Sequence, residues 1–398
     1  MSYDFIFVGA GPSGLTGAIC AARQGRRCLV IEKKQSLEDH PRGETLRFRP
    51  ILDEVLGKGV MASMSLAETT LIEYFAPVPD DVERISFNMR SANIAFDWET
   101  FMQSFQKQVD SLDIDLLMSS EVVDTIVELD RIVGVVYKDP DGKEIAVMGD
   151  VVFASDGHQS IIGRKVGVNY QKLYNPIIKG IYKKATFDTA GYKFFFIPAG
   201  SMDFAPEFPP ALAFLFPRDN NNCEAAVCVI AESARKLGFA VPSPEELLRV
   251  WELMVEKYPV FSEMLKEAEP ELVEPTLIPA VAPLEDFIPQ KGVVLLGDSA
   301  SFIEVSGGSG LVSSMECAKF WVNMIIEEQN RSEKPTDIWQ EQTIQKLNEA
   351  FRFAPIYRHI KANADRNTAM FETLFVQMRT SEEIIKNWEM VRAGLDVY

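Results

Sequence analysis

The chain has 398 residues, 47% of them hydrophobic, and its 40 basic and 58 acidic side chains give a formal net charge of −18 at pH 7. This acidic balance argues against nucleic acid as a partner, because phosphate binding needs a basic surface. No apolar run reaches the ~20 residues of a membrane-spanning helix, and no signal peptide is visible. We therefore expect a cytoplasmic protein, with peripheral membrane contact left open.

The cysteines and histidines do not suggest a metal centre. The five cysteines form no C-x-x-C pair, and the three histidines are scattered along the chain. Metal-ligand clusters and disulfide exchange chemistry both require closer spacing. We expect no metal, and the sequence leaves the oligomeric state open.

A glycine-rich turn stands near the start of the chain. Residues 9–14, Gly-Ala-Gly-Pro-Ser-Gly, follow an apolar run at 3–8 that predicts a strand, and a helix is predicted after them. Gly9 permits a tight turn, Gly11 lets the backbone approach a pyrophosphate, and Gly14 lets the helix pack closely on the strand. The N–H groups of the first helical turn, which includes Pro12 and Ser13, suit phosphate binding.

An acidic residue completes this dinucleotide-binding fingerprint. A second strand is predicted over 27–31, and Glu32 follows it directly. A carboxylate at this position accepts hydrogen bonds from ribose hydroxyls and disfavours a 2′-phosphate. We also assign the neighbouring Lys33 and the later strand residue Val122 to the nucleotide site.

Apolar periodicity predicts the remaining elements. A polar segment at 35–50 is expected to form a loop over the cofactor. Further along, helices and strands alternate with turns, and Ser243 followed by proline marks a helix start. In chain order we predict a helix at 97–112, a strand meander at 122–154, strands within 177–231, a helix at 242–264, a strand at 292–296, a helix at 310–328 and a helical tail.

A second motif resembles a known flavoprotein pattern. Residues 154–164, Ala-Ser-Asp-Gly-His-Gln-Ser-Ile-Ile-Gly-Arg, resemble the A-D-G-x-x-S-x-x-R motif of the p-hydroxybenzoate-hydroxylase-like flavoproteins. Asp156 and Gly157 match the motif, while one extra serine follows the alanine and Arg164 comes one place late. In that superfamily the motif lies near the flavin and pyrophosphate and is linked with both FAD and NAD(P)H.

A third motif occurs about 140 residues later. Gly297-Asp298-Ser-Ala resembles the G-D-A-A motif of the same superfamily, in which the aspartate accepts a ribitol hydroxyl. The glycines that follow, including Gly308 and Gly310, open a helix at Leu311. Its amides and dipole suit the flavin pyrimidine ring and the negative charge of reduced flavin. The order of the three motifs implies an FAD cofactor.

The resemblance also implies the architecture. We expect a mixed α/β fold with a Rossmann-type FAD-binding domain at 1–170 and 276–330. A β-rich substrate domain is expected at 171–275, and a helical C-terminal region at 331–398.

Two further segments narrow the resemblance to the geranylgeranyl reductase and flavin-dependent halogenase branch. Residues 41–46, Pro-Arg-Gly-Glu-Thr-Leu, look like the G-E-S segment of the halogenases and the corresponding reductase loop. Residues 212–217 resemble the reductases' Y-x-W-x-F-P substrate motif, although only the last two residues match outright. The expected substrate contacts are the aromatic residues of two strands: Phe194, Phe196, Phe214 and Phe216.

The catalytic residues remain open. Arg42, Glu44 and Glu304 are candidates because their segments are expected near the flavin, and Arg42 is also a candidate flavin contact. The cysteine that some archaeal geranylgeranyl reductases carry before these glycines is absent. The catalytic lysine spacing and W-x-W-x-I-P motif of typical halogenases are absent too.

Three functions are consistent with these motifs. The first is an FAD-dependent reductase that adds hydride to a carbon–carbon double bond of a hydrophobic small molecule. The second is a monooxygenase that acts through a flavin C4a-hydroperoxide in a dry pocket, as aromatic hydroxylases and halogenases do. The third is a non-catalytic FAD-binding or electron-transfer protein. The electron donor, NAD(P)H or a protein, is open.

Overall fold

The computed structural model describes residues 2–39, 44–76, 83–168, 174–279, 282–303 and 310–388. Over these ranges fifteen strands form two sheets. The strands are β1 Ser2–Val8, β2 Cys28–Ile31, β3 Glu44–Arg47, β4 Ser65–Ala76, β5 Glu83–Phe96, β6 Ile114–Leu117, β7 Glu121–Glu128, β8 Arg131–Lys138, β9 Glu144–Ala154, β10 Tyr174–Lys183, β11 Tyr192–Ile197, β12 Ala211–Pro217, β13 Cys223–Val229, β14 Glu269–Pro279 and β15 Val293–Leu295.

The α-helices of the described ranges cover both sheets and build the C-terminal region. They are α1 Pro12–Ala22, α2 Pro50–Leu56, α3 Val60–Met64, α4 Trp98–Asp110, α5 Ile161–Lys165, α6 Ala231–Leu237, α7 Pro244–Lys257, α8 Pro259–Leu265, α9 Gly310–Arg331, α10 Glu341–Phe353, α11 Pro355–Phe371 and α12 Ser381–Lys386. None of them is both long and apolar enough to cross a membrane.

The first sheet contains the predicted dinucleotide-binding unit. Its strand order in the described part is β6-β2-β1-β9-β8-β7, and β15 pairs with β9. The strands β2, β1, β9 and β15 run parallel, so their carboxyl ends meet at one edge of the sheet. Phe7 and Phe153 stack at 4.7 Å between ring centroids in the buried core. This packing confirms the predicted strands and positions the turns that follow them.

The second sheet has the order β14-β10-β13-β12-β11-β4-β5-β3 in the described part. The segment 44–47 was expected to belong to a loop, but it forms β3 and pairs with β5. The three strands β3 to β5 therefore lie in this sheet, although the sequence groups residues 44–96 with the FAD-binding segment. The domain boundaries stay a prediction.

Two layers cover the second sheet. On one face, helices α7 and α8 contribute Trp251 and Phe261 to a buried cluster. The predicted cap of α7 is confirmed, because Ser243 Oγ accepts from Glu246 N at 3.2 Å and the Glu246 carboxylate accepts from Ser243 N at 2.8 Å. On the other face, the C-terminal segment packs Phe375 against aromatic side chains of the sheet. The predicted helical tail is confirmed up to residue 388.

A buried ion pair joins the parallel strands β4 and β11. Lys193 Nζ lies 2.7 Å from Glu73 Oε2, and the two side chains are 0% and 1% exposed. The ammonium also donates to Thr189 Oγ1 at 2.7 Å. These charges replace the hydration that burial removes, and the pair fixes β11 beside β4.

Candidate functional site

A cavity of about 450 Å³ lies where the carboxyl ends of the parallel strands face the second sheet. Its first wall, the nucleotide wall, combines Lys34 with residues of all three sequence motifs: Gly11, Pro12, Ser13, Ser155, Gly157, Asp298, Gly310 and Leu311. The opposite wall comes from the eight-stranded sheet. The structure thus brings together motifs that are separated by about 140 residues in the sequence.

The glycine turn has the geometry that its spacing predicts. Gly9 has a φ of +97°, and a Cβ placed there would lie 2.5 Å from the Ser155 carbonyl oxygen. A Cβ on Gly14 would lie 2.1 Å from the Gly9 carbonyl oxygen. By contrast, a Cβ on Gly11 would meet nothing within 4 Å. Gly9 and Gly14 therefore serve close packing, while Gly11 faces open space beside the N-terminus of α1.

Glu32 is fixed at the end of β2. Its carboxylate accepts from Ala10 N at 2.6 Å and from Lys34 N at 3.0 Å, and the side chain is buried. Lys33 is exposed beside it. Val122 lies in β7, where its side chain is buried in the core and is not among the residues that line the cavity. The nucleotide assignments of Lys33 and Val122 stay predictions.

Two serines tie the three motifs together. Ser155 Oγ donates to the carbonyl oxygen of Val8 at 2.8 Å, directly before the glycine turn. Ser299 Oγ lies 2.5 Å from the Ala154 carbonyl oxygen, and Leu296 N donates to the same oxygen at 2.8 Å. These contacts link the ends of β1, β9 and β15 to one another. The serines that depart from the superfamily motifs thus make structural contacts.

Asp156 is placed differently from the sequence interpretation. Its Oδ2 accepts from Ile161 N at 2.7 Å and from Ile162 N at 3.3 Å, so the carboxylate caps the short helix α5. It is not among the cavity-lining residues, whereas Gly157 is. Burial raises the pKa of Asp156, and its hydrogen bonds oppose that shift. Asp156 acts here as a cap that holds Gly157 at the wall.

The third motif packs against the first. Gly297 has a φ of +57°, and a Cβ there would lie 3.0 Å from Ser13 Oγ. Asp298 follows at the cavity, together with Gly310 and Leu311 at the start of α9. Three predicted site residues, Arg42, Glu304 and Gly308, lie outside the described residues.

The second wall is aromatic. We call Phe194, Phe214 and Phe216 the aromatic wall, because all three line the cavity from β11 and β12. Phe214 and Phe216 stack at 4.5 Å, and Phe194 lies 6.2 Å from Phe214. Phe196 differs from the prediction: it is 1% exposed, packs against Trp388 at 5.9 Å and is not among the lining residues.

A group of charged side chains, which we call the charged corner, adjoins the aromatic wall. Lys179 Nζ lies 3.1 Å from Glu224 Oε1 and 3.8 Å from Glu44 Oε1. Glu224 is buried, while Lys179 and Glu44 are half-buried. All three line the main cavity and also a second cavity of about 230 Å³, which His158 borders as well.

Several cavity residues were missed by sequence reasoning. Glu224 is the one charged residue of β13, and Lys179 is a charged residue in the interior of β10, so a charge inside a largely apolar strand is a usable signal. Cys228 and Phe371 carried no signal beyond core packing. The missed lining residues of the described part are Lys34, Thr45, Trp98, Ser155, Asn175, Ile177, Lys179, Leu212, Glu224, Cys228, Ile230, Ile278, Pro279, Ile303, Ser314 and Phe371.

The nucleotide wall fits FAD. The open space at Gly11 and the first turn of α1, which has no side-chain cap, suit a pyrophosphate. Such a wall, facing an apolar wall across one cavity, defines an FAD-dependent oxidoreductase. The chain belongs to the FAD binding domain family, whose family model matches residues 2–336.

Known proteins are similar to most of the chain. A digeranylgeranylglycerophospholipid reductase of Methanocella arvoryzae is 26% identical over 334 residues, covering 81% of this chain and 77% of the relative. A geranylgeranyl bacteriochlorophyll reductase-like protein of Thermoplasma acidophilum has a TM-score of 0.79 at 18% identity and covers 98% of this chain and 91% of that one. A myxobacterial chondrochloren halogenase has a TM-score of 0.67 at 18% identity, covering 99% and 90%. The two structures share the fold.

Proposed function

We propose that this protein uses reduced FAD to saturate a carbon–carbon double bond of a hydrophobic, prenyl-type substrate. The observation that carries the proposal is the pair of facing walls, one with the FAD motifs and one formed by aromatic side chains, around a single cavity. The relatives named as geranylgeranyl-type reductases support this substrate class.

The residues for the cofactor follow from the nucleotide wall. The turn at Gly11 and the N-terminus of α1 would hold the pyrophosphate, Asp298 the ribitol, and the start of α9 at Gly310 the flavin ring. Glu32 is not among the cavity-lining residues, but its carboxylate is fixed at the glycine turn by Ala10 N and would hold the ribose. When bound and reduced, FAD supplies hydride. We leave open whether NAD(P)H or a protein reduces it.

The protein's own residues bind and orient the substrate and exclude water from it. The aromatic wall offers an apolar surface whose contact excludes water. Phe371, at the end of α11, borders the same cavity from the C-terminal region. The helical tail therefore helps to enclose the substrate. Cytoplasmic localisation, peripheral membrane contact and the division into FAD-binding, substrate and C-terminal domains stay predictions.

The test is a single turnover without oxygen. The FAD-loaded protein is reduced with one equivalent of dithionite and mixed with geranylgeraniol, while flavin absorbance is followed and the product is analysed by mass spectrometry. We expect the flavin to reoxidise and the alcohol to gain two hydrogen atoms. Squalane, which has no double bond, is the matched control and should leave the flavin reduced.

A second arm separates the alternative chemistry. The same reduced protein is mixed with aerated buffer and geranylgeraniol. An oxygen atom in the product, with no saturation in the anaerobic arm, would contradict the reductase and indicate a monooxygenase. Absence of any product in both arms would contradict the proposal as well.

A further inference from the structure

The charged corner, Lys179 with Glu224 and Glu44, lies at the junction of the two cavities. Its members come from separate parts of the chain, β3, β10 and β13. Glu44 belongs to the edge strand β3, while β10 stands near the opposite end of the strand order. The sheet therefore curves enough to bring Glu44 within 3.8 Å of Lys179. The corner is formed by the fold and borders the site directly.

The strand register places Lys179 beside the aromatic wall. Phe214 pairs with Ala226 across β12 and β13, and Ala226 pairs with Lys179 across β13 and β10. The three residues thus share one row and one face of the sheet. Ala226 stands between Phe214 and Lys179 in this row. Because its methyl side chain is small, it leaves room between the Phe214 ring and the Lys179 ammonium. Glu224 occupies the next row, paired with Phe216.

The surroundings of Lys179 give its ammonium fixed partners and an open path to both cavities. Glu224 Oε1 lies 3.1 Å and Glu44 Oε1 lies 3.8 Å from Lys179 Nζ, so two carboxylates attract the ammonium and fix its position. The side chain is 27% exposed and borders the second cavity, through which protons can return. A second lysine that lines the main cavity, Lys34, lies on the nucleotide wall, where its ammonium donates to the Asp39 carbonyl oxygen at 3.2 Å.

We propose that Lys179 supplies the proton in the double-bond reduction, an inference that rests on the proposed function. One carbon of the double bond receives hydride from reduced flavin, and the other takes a proton from Lys179 Nζ. The N–H bond breaks, its electron pair stays on nitrogen, and the new C–H bond uses the π electrons of the substrate. Solvent then restores the ammonium, while Glu224 and Glu44 keep it in position.

Chemical rescue tests this role. In the anaerobic single turnover, Lys179→Ala should reoxidise its flavin with geranylgeraniol about 100-fold or more slowly, the lower range for loss of a general acid. Added ethylammonium should restore part of the rate, with a dependence on its concentration. Lys183→Ala is the matched control, since Lys183 ends the same strand and forms an exposed pair with Glu271 at 2.7 Å. It should react like the wild type.

A second readout needs no turnover. Reductive ¹³C-methylation labels lysines and keeps their charge, and Lys179→Ala identifies the Lys179 signal by its absence. Geranylgeraniol added to the oxidised, FAD-loaded protein should shift that signal and leave the Lys183 signal in place.

The outcomes distinguish the two proposals. An active wild type with an equally fast Lys179→Ala variant would overturn the role of Lys179 alone. A slow variant that ethylammonium does not rescue, with an unshifted Lys179 signal, would also overturn it. If the wild-type protein reduces no carbon–carbon double bond, both the proposed function and the role of Lys179 are overturned.

Discussion

The two walls of the cavity differ in the chemical groups that form them. The nucleotide wall is made of backbone groups, glycines and serines, held by hydrogen bonds such as that from Ser155 Oγ to the Val8 carbonyl oxygen. The opposite wall, which we call the sheet wall because the eight-stranded sheet forms it, is made of large side chains, with Phe214 and Phe216 of the aromatic wall beside the charged corner. Under the proposed function, the first wall would bind a cofactor that is common to the family, and the second wall would contact the substrate. Changes in the two walls should therefore have separable effects.

The largest effect on stability is expected for the buried ion pair between β4 and β11, in the sheet that forms the sheet wall. Glu73→Gln removes the buried carboxylate that lies 2.7 Å from Lys193 Nζ and leaves the buried ammonium with only the half-exposed carboxylate of Asp188, at 3.3 Å. We expect the free energy of unfolding to fall by about 3–5 kcal/mol, as measured by denaturant unfolding. Glu271→Gln breaks the exposed pair with Lys183 and should cost less than about 1 kcal/mol. Equal losses in the two variants would contradict the structural role of the buried pair.

Substitutions of two glycines, Gly14 and Gly11, test the two roles assigned to the glycine turn. Gly14→Ala forces a Cβ to within 2.1 Å of the Gly9 carbonyl oxygen, so the unfolding free energy should fall by about 1–3 kcal/mol. Gly11→Ala meets no atom within 4 Å, so the apoprotein should remain as stable as the wild type. Its FAD affinity should nevertheless fall, because the added methyl group occupies the space assigned to the pyrophosphate. Thermal unfolding and FAD titration together check the pair, and full FAD affinity in Gly11→Ala would contradict the assignment.

A smaller effect is expected in the aromatic wall. Phe214→Ala removes a half-buried ring from the cavity and should raise the KM for geranylgeraniol about tenfold, equivalent to ~1.4 kcal/mol of lost apolar contact. FAD content should be unchanged, since the ring is opposite the nucleotide wall. Phe353→Ala, at a ring that is 73% exposed, is the control and should leave the KM unchanged. Loss of FAD in Phe214→Ala would show that the walls are not separable.

The last prediction concerns the chemical reactivity of a thiol in the sheet wall and involves no change in stability or substrate binding at neutral pH. Burial raises the pKa of Cys228 from 9.0 to about 12, which lowers its thiolate fraction at pH 8 about 1,000-fold. Iodoacetamide reacts with the thiolate, so native Cys228 should stay unlabelled at pH 8 and become labelled in guanidinium, as read by peptide mass spectrometry. Rapid native labelling would indicate a wet, open wall. Since the folded pKa is raised, the associated stability is complete below pH 9 and declines as the pH approaches 12.

The sequence predicted the nucleotide wall better than the sheet wall for a physical reason. A phosphate-binding turn is local, so the spacing of Gly9, Gly11 and Gly14 and the acid at Glu32 carry its geometry. Strand β3 was missed because its partner β5 begins about 40 residues later, and a short polar segment carries no sign of that pairing. The charged corner depends on the curvature of a whole sheet, which periodicity does not reveal.

Motif resemblance also has a limit that Asp156 illustrates. The family pattern led to a cofactor contact, whereas the carboxylate caps α5 and Gly157 lines the cavity. The extra serine beside it, Ser155, makes its own contact with β1. Three of the four predicted substrate residues, Phe194, Phe214 and Phe216, line the cavity, and their contact with substrate stays a prediction. The alternation along β11 and β12 did not reveal that the C-terminal segment covers Phe196.

The most direct test of the account asks whether the substrate and the flavin share one cavity. Geranylgeraniol is titrated into the oxidised, FAD-loaded protein, and the flavin difference spectrum is recorded while binding heat is measured in parallel. We predict a saturable change in the flavin bands with the same midpoint as the heat, shifted to higher concentration in Phe214→Ala. Binding heat without a spectral change, or no binding to a fully FAD-loaded protein, would contradict the facing-wall arrangement.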